Sequence, residues 1–219
     1  MMMFFDFHHH AKDKQGIYNL NFLENPVETA FSVGFHPKDL DFITEKSWEW
    51  FKKSSLSAHC LAIGECGLDA FVPTSEKEQE EVFSRQILWA NEIQKPVIIH
   101  CVRRFSELLR FSKIARVPLI IHGFNKKETI AKGLLDKGFY LSFGRAVLHN
   151  LSLQEIVKNT PIDRFFLETD NTDFNIEDLY RKVAALKGIS LEDLQEKILQ
   201  NRLRMGFRSG TATHAHPSR

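Results

Sequence analysis

The stretch Pro-Val-Ile-Ile-His at residues 96–100 is a short apolar run that ends in a side chain able to bind a metal ion. A run of this kind is typical of a strand buried on both faces of a parallel sheet. Similar runs, rich in Phe, Ile and Val, occupy seven further segments: 3–7, 16–22, 30–35, 61–64, 119–122, 139–143 and 164–168. The eight runs match the eight strands that a (β/α)8 barrel requires.

Amphipathic segments follow most of these runs. In residues 76–93 the apolar side chains fall on one stripe and Glu and Arg fill much of the remaining surface, as in a helix packed on a sheet. Further helical segments are 105–113, 127–137, 152–158, 176–187 and 191–207. Because alternating strands and helices form right-handed βαβ units, we predict an α/β fold. Its architecture is a distorted (β/α)8 TIM-type barrel with C-terminal helices, in which the helix after residues 16–22 is nearly absent.

A single domain accounts for the predicted elements. The chain has 219 residues, and barrels of roughly 200–250 residues are commonly one domain. We predict a barrel over residues 1–207 and a disordered tail over residues 208–219, which are polar and include Gly210 and Pro217.

The composition excludes several classes of protein. Hydrophobic residues make up 43% of the chain, which is unlike disordered, collagen-like or disulfide-scaffold proteins. The net charge of +1 excludes a strongly basic coat, so an anionic partner must meet a local cluster. Cys60, Cys66 and Cys101 form no CxxC pair and indicate reduced thiols. Without a membrane-length apolar run or a signal-like start, we predict a cytoplasmic protein with no membrane association and no obligate protein partner.

Side chains able to bind a metal ion occur at the ends of five predicted strands. They are His8, His10, Glu65, His100, His122 and Asp170. His8 and His10 share one side of the first strand because side chains alternate along a strand. Each residue alone could be a packed or turn residue. Since the carboxyl ends of barrel strands converge on one face, their joint placement favours a divalent metal site.

Seven short motifs, in order, resemble those of the TatD family of metal-dependent hydrolases. They are Asp-Phe-His-His-His at 6–10, Gly-Phe-His-Pro at 34–37, Ile-Gly-Glu-Cys-Gly-Leu-Asp at 63–69, Pro-Val-Ile-Ile-His-Cys at 96–101, His-Gly-Phe at 122–124, Leu-Glu-Thr-Asp at 167–170 and Asn-Arg at 201–202. The resemblance spans nearly the whole chain and implies a barrel that binds up to two divalent ions.

The resemblance also implies a role for each ligand. One ion would bind His8, His10 and Asp170, the other would bind His100 and His122, and Glu65 would bridge them. The ions would be Zn, Mn, Ni or Fe, which suit mixed imidazole and carboxylate ligands, or Mg with more water ligands. Glu65 and Asp170 are the predicted catalytic residues, with Asp170 placed to orient a water or accept its proton. The family includes 3′–5′ exonucleases, so DNA or another phosphodiester is the leading substrate.

Basic residues follow two of the predicted ligands on adjacent loops. They are Arg103, Arg104, Lys126 and Lys127. They predict a positive rim that binds phosphate, and ordinary solvated helix starts are the alternative. His36 borders the site in the family pattern and is a further candidate for substrate binding, or a packed side chain. Trp48, Trp50 and Phe51 are more typical of helix packing than of base stacking.

One departure from the family pattern leaves the substrate open. Residues 171–175 lead almost directly into the predicted helix at Ile176, where the family has a long loop with proline and arginine. The shorter loop and the near-neutral charge favour an alternative, a hydrolase of a small phosphoester or cyclic amide on the same barrel. A second alternative is a non-catalytic, metal-free scaffold for interactions. It is disfavoured because six buried polar side chains without a metal would destabilise a barrel.

Overall fold

The computed structural model describes residues 4–207 and contains one eight-stranded parallel sheet whose strands follow the order of the sequence. The strands are β1 (Asp6–His9), β2 (Gly16–Asn19), β3 (Phe31–Val33), β4 (Cys60–Asp69), β5 (Val97–Val102), β6 (Leu119–Ile121), β7 (Tyr140–Phe143) and β8 (Phe165–Leu167). The α-helices are α1 (Glu45–Ser55), α2 (Glu76–Ile93), α3 (Phe105–Leu108), α4 (Glu128–Asp136), α5 (Leu151–Asn159), α6 (Ile176–Lys187) and α7 (Leu191–Arg204).

The first and last strands meet and bring the sheet to a nearly closed barrel. The backbone N–H of Asp170 donates to the carbonyl of His8 at 2.9 Å, and Asp170 forms a parallel bridge with His9. Between β1 and β8 the rings of Phe7 and Phe166 stack with their centroids 4.5 Å apart. The predicted (β/α)8 barrel is confirmed.

The C-terminal helices brace the strands on either side of this closure. The hydroxyl of Tyr180 in α6 donates to the carbonyl of Phe5 at 2.8 Å. The side-chain amide of Asn201 in α7 donates to the carbonyls of Ile162 and Phe165 at 2.9 and 3.0 Å. Both donors are buried, so leaving either hydrogen bond unmade would be costly. These bonds therefore fix α6 and α7 on the barrel.

Strand β4 extends further than the sequence predicted. The run at 61–64 was expected to end before Glu65, and this is wrong because β4 continues to Asp69. Gly67 pairs with His100 of β5, and its φ of +149° and the space beside it both require glycine. A Cβ at Gly67 would lie 2.0 Å from the carbonyl oxygen of His100. The glycine thus permits a close approach of two strands, and Glu65 lies inside β4.

Other boundaries differ by a few residues. The first strand was expected at 3–7 and is Asp6–His9, so His8 lies within it. The helix expected at 105–113 is the short α3 followed by a 3-10 helix at Leu109–Lys113. The last helix ends at Arg204 rather than at residue 207.

Within the described residues, no helix separates β2 from β3, as the sequence predicted. The carboxylate of Glu24 instead organises this loop. It accepts hydrogen bonds from the hydroxyl of Tyr18 at 2.9 Å and the backbone N–H of Asn21 at 3.0 Å, and it pairs with the ammonium of Lys12. The indole N–H of Trp50 in α1 donates to the Glu24 carbonyl at 2.8 Å.

The predicted tail at 208–219 lies outside the described residues, so the domain boundary at 207 stays a prediction. In residues 4–207 no helix is both long enough and apolar enough to cross a membrane.

Candidate metal centre

Four side chains from β1, β4 and the segments that follow β1 and β8 face one another at the carboxyl end of the barrel. The Nε2 atom of His8 lies 3.5 Å from Oε2 of Glu65 and 3.7 Å from Oδ1 of Asp170. The Nε2 atom of His10 lies 3.7 and 3.5 Å from the same two oxygens. These two nitrogens and two oxygens form a compact set that we call the first cage.

The other carboxylate oxygen of Glu65 faces a second set of nitrogens. Its Oε1 atom lies 2.9 Å from Nδ1 of His100 and 2.9 Å from Nε2 of His122. These two nitrogens are 3.4 Å apart, and we call this set the second cage. Glu65 therefore presents one oxygen to each cage, which is the arrangement that a bridging carboxylate requires.

The position of Glu65 follows from the local structure of β4. The pairing of β4 with β5 shifts register between Ile63 and Cys66, where Glu65 lies. Its backbone N–H donates to the side-chain oxygen of Asn19 in β2 at 2.9 Å, and only 7% of its surface is exposed. Burial would raise the pKa of Glu65, but His122, His100 and neighbouring hydrogen bonds hold it well below its usual range. The side chain is therefore a buried carboxylate.

Two acidic residues outside the cages face the rings of the second cage, and one of them, Asp69, is hydrogen-bonded to the ring of His100. Nε2 of His100 lies 2.9 Å from Oδ2 of Asp69, and Nδ1 of His122 lies 3.5 Å from Oε1 of Glu168. Burial would lower the pKa of His122, but Glu65 and Glu168 outweigh it and hold the pKa well above its usual range. A carboxylate on the far nitrogen fixes the tautomer and ring orientation of a metal-binding histidine.

Sequence reasoning missed Asp69 and Glu168, although both lie in the quoted motifs. Each shares its motif with an acidic cage residue: Asp69 occurs with Glu65, and Glu168 occurs with Asp170. That doubling was the signal that could have identified them.

His36 reaches the centre rather than the outer rim. Its Nε2 atom lies 3.4 Å from Oε1 of Glu65, and its Nδ1 accepts a hydrogen bond from the backbone N–H of Lys38 at 3.0 Å. Burial lowers the pKa of His36. In a neutral ring whose Nδ1 accepts, the proton resides on Nε2. In this state His36 donates to Glu65 and offers no lone pair to an ion.

A buried carboxylate holds the segment that precedes Asp170. Asp6 accepts hydrogen bonds from the backbone N–H and the hydroxyl of Thr169, at 2.9 and 2.5 Å. Burial raises the pKa of Asp6 to about 7. The next residue, Asp170, has a φ of +52°, which is uncommon for a residue with a side chain. Asp6 therefore helps to fix the backbone that directs Asp170 into the first cage.

The four basic residues expected on the rim differ in their surroundings. Arg103 and Lys127 are exposed, and Lys126 is half-buried. Arg104 is only 4% exposed, and its guanidinium faces the carboxylates of α2, with Glu76 at 2.9 Å and Glu80 at 3.3 Å. This geometry argues against the expectation that Arg104 binds substrate, because its partners are already carboxylates of the helix layer.

The residues of the first cage fit a divalent ion. A tetrahedral set of nitrogen and oxygen ligands at about 2.0–2.1 Å from an ion has edges of about 3.3 Å. Four of the six edges of the first cage, those between a histidine nitrogen and a carboxylate oxygen, measure 3.5–3.7 Å. His8 is fully buried, and neither of its ring nitrogens has a hydrogen-bond partner within residues 4–207. A buried polar atom without a partner destabilises the fold, and an ion would give the Nε2 atom of His8 such a partner.

Comparison with protein families decides which group this arrangement belongs to. The family model described as TatD related DNase matches residues 9–205. The chain belongs to the TatD family. Its membership makes the chain a metal-dependent hydrolase by family.

Two relatives of this TatD chain show how far sequence similarity extends. The uncharacterised metal-dependent hydrolase YabD of Bacillus subtilis is 31% identical over 193 residues, which are 80% of this chain and 76% of YabD. The human protein named deoxyribonuclease TATDN3 is 31% identical over 164 residues, which are 66% of this chain and 59% of that protein.

Solved structures of TatD proteins share the fold. YjjV, a TatD homologue of Escherichia coli, superposes with a TM-score of 0.76 at 18% identity, covering 92% of this chain and 97% of YjjV. A hydrolase of the TatD family from Entamoeba histolytica superposes with a TM-score of 0.75 at 17% identity, covering 92% and 97%. At these identities the likeness shows the barrel alone.

Proposed function

We propose that this TatD protein is a deoxyribonuclease of the 3′–5′ exonuclease type that binds two divalent ions. The observation that carries the proposal is the Glu65 carboxylate, which directs one oxygen to each cage. Two ions bridged by one carboxylate are typical of enzymes that cleave phosphodiesters.

The distances within the two cages support one set of ligands for each ion. His8, His10 and Asp170 with Oε2 of Glu65 would hold the first, and His100 and His122 with Oε1 of Glu65 would hold the second. When bound, such ions lower the pKa of water and neutralise charge that grows on the phosphorus. Imidazole and carboxylate donors suit Zn, Mn, Ni or Fe, and Mg with more water, and the identity of the ion is left to measurement.

Asp170 is the residue best placed to act on the attacking water. Burial would raise its pKa, but His10, His122 and His8 hold the pKa below its usual range, so the carboxylate is ionised at neutral pH. Its Oδ1 atom faces the histidines of β1, and 39% of its side chain is exposed. The remaining oxygen can therefore accept a hydrogen bond or a proton from a water that enters from solvent.

The surroundings of the centre support a nucleic acid as substrate. Arg103 and Lys127 are exposed on the loops after β5 and β6 and supply a positive rim for phosphates. A relative with 31% identity, human TATDN3, is named a deoxyribonuclease.

One observation favours the second candidate, hydrolysis of a small phosphoester or cyclic amide. A cavity of about 170 Å³ adjoins Asp170 and is lined by Gly123, Phe124, Gly144 and Thr172. A cavity of this volume accommodates a small molecule or a single group of a larger one.

Reconstitution with single metals separates these readings. The chelator-treated protein is loaded with Zn, Mg, Mn, Ni or Fe and incubated with end-labelled single-stranded DNA, a small phosphodiester and a cyclic amide. A ladder of products shortened from the 3′ end is the expected result. His100→Ala, which removes one cage nitrogen, controls for contaminating nucleases.

Each other outcome has a defined meaning. Cleavage of the small compounds with intact DNA supports the second candidate. Failure to bind any divalent ion leaves only the non-catalytic scaffold.

A further inference from the structure

Phe71 is an exposed aromatic side chain on a loop that is firmly anchored. The ring lies in the turn between β4 and α2 and is 68% exposed. The buried side chain of Gln79 spans this turn, since its amide donates to the carbonyls of Asp69 and Thr74 at 3.0 and 2.9 Å. The hydroxyl of Thr74 donates to Asp41 at 3.1 Å. The ring is therefore held out into solvent by a fixed backbone.

The guanidinium of Arg103 covers part of this ring. Its central carbon lies 4.7 Å from the ring centroid of Phe71. Arg103 follows β5 directly and has a φ of +55°, a left-handed conformation that residues with a side chain rarely adopt. Exposed apolar residues that occur singly need no explanation. An exposed aromatic ring beside a guanidinium, in contrast, is typical of a site where a planar ligand group stacks.

One carboxylate connects this pair to the second cage. The backbone N–H of Phe71 donates to Oδ1 of Asp69 at 2.8 Å, and Oδ2 of Asp69 lies 2.9 Å from Nε2 of His100. Phe71 and the His100 ring are thus tied to the two oxygens of the same side chain. The backbone of Phe71 is therefore held in a defined position relative to the second cage.

We propose that Phe71, covered on one side by Arg103, is a stacking platform for a nucleobase of the DNA strand next to the scissile phosphate. The inference rests on the proposed nuclease function. Single-stranded nucleic acid binds to proteins through aromatic rings that stack on bases and cations that meet the backbone.

A cycle of changes in both enzyme and substrate tests the platform. KM is measured for a labelled single strand and for strands in which one of the four nucleotides at the cleaved end lacks its base. In the unchanged enzyme, removal of the stacked base should raise KM by roughly 5- to 100-fold at one position. In Phe71→Ala, KM for the intact strand should rise by a similar factor, and removal of that base should then change KM by less than about two-fold.

Two variants control for effects other than stacking. Phe71→Trp retains a ring and should preserve the base dependence. Leu88→Ala removes an apolar side chain that is 50% exposed on α2 and should leave KM unchanged. Melting temperatures of all variants show whether the fold is retained.

The failures are distinguishable. If the unchanged enzyme neither binds nor cleaves DNA with any ion, the proposed function and the platform both fail. If DNA is cleaved and Phe71→Ala shows the same base dependence as the unchanged enzyme at every position, the platform alone is rejected.

Discussion

Asp69 Oδ2 lies 2.9 Å from Nε2 of His100, on the side of the ring opposite the nitrogen that faces Glu65. The other oxygen of Asp69 accepts the N–H of Phe71 at 2.8 Å. The carboxylate therefore favours the tautomer of His100 whose proton is on Nε2, and the lone pair of Nδ1 is left to bind an ion.

Asp69→Asn should weaken binding of the second ion by about 10- to 100-fold. Its amide oxygen would stay with the N–H of Phe71 and direct the NH2 group at His100, which would then place its proton on Nδ1. Titration of the apoprotein with Zn, followed by calorimetry, measures the effect. Asp193→Asn, an exposed change at the start of α7, is the control, and unaltered affinity in Asp69→Asn would contradict the assignment.

Glu65→Gln should reduce the bound metal from two ions to one or none, because an amide cannot bridge two cations with two oxygens. Hydrolysis should fall by more than about 1,000-fold, as when a group that acts as part of a unit is removed. Elemental analysis and steady-state rates provide the measurements. Glu155→Gln, whose side chain is 67% exposed on α5, should retain both. Two ions in Glu65→Gln would show that the cages are filled independently.

Asp170→Asn should leave metal content largely intact and abolish turnover. The amide keeps an oxygen for the first cage but cannot accept a proton from the attacking water. Metal analysis and single-turnover assays on the same preparation separate the two effects. Retained activity would refute the role of Asp170, and loss of the first ion would show that its negative charge is needed for binding.

Arg104→Met should lower the free energy of unfolding by about 1 kcal/mol, because it removes the ion pairs that the buried guanidinium makes with Glu76 and Glu80. KM for DNA should change by less than about two-fold, since Arg104 is 4% exposed and faces Glu76 and Glu80. Urea denaturation and steady-state kinetics give the two numbers. Lys127→Met should show the reverse pattern, with weaker DNA binding and little change in stability.

Glu24→Gln should destabilise the protein at neutral pH and lose that effect in acid. Burial would raise the pKa of Glu24, but Lys12, Asn21 and Tyr18 outweigh it and hold the pKa at about 2. A carboxyl whose folded-state pKa is depressed stabilises the fold above its unfolded pKa of about 4.5, and this contribution disappears as pH falls toward about 2. The difference in unfolding free energy between the two proteins should be about 1–3 kcal/mol at pH 7 and shrink below pH 4.5. A difference that does not change with pH would contradict the ionic account.

Sequence patterns predicted the barrel because each strand is a short apolar run, and such a run is typical of a strand buried in a parallel sheet. They also predicted that the cage residues share a face, since the apolar runs at 96–100 and 119–122 each end in a histidine. The length of β4 could not be predicted. Glycine is uncommon inside strands, so Gly64 and Gly67 did not predict that β4 would continue. Only the structure shows that β5 lies too close to both positions for a larger residue.

The partners of each ligand also needed the structure. Arg104 follows Arg103 directly, yet the side chain of Arg104 contacts Glu76 in α2 and that of Arg103 covers Phe71. Neighbouring positions on a loop have no fixed periodicity, so their directions depend on the backbone dihedrals. The φ of +55° at Arg103 is a property of that loop and not of the local sequence.

The hydrogen bond from Asp170 to His8 joins two residues that are about 160 positions apart in the sequence, so Asp170 is synthesised long after His8. A chain whose synthesis stops before residue 170 holds five of the six cage side chains and yet cannot assemble the first set. Truncated products would therefore lack the proposed metal centre, which can form only when β8 and Asp170 after it have been made.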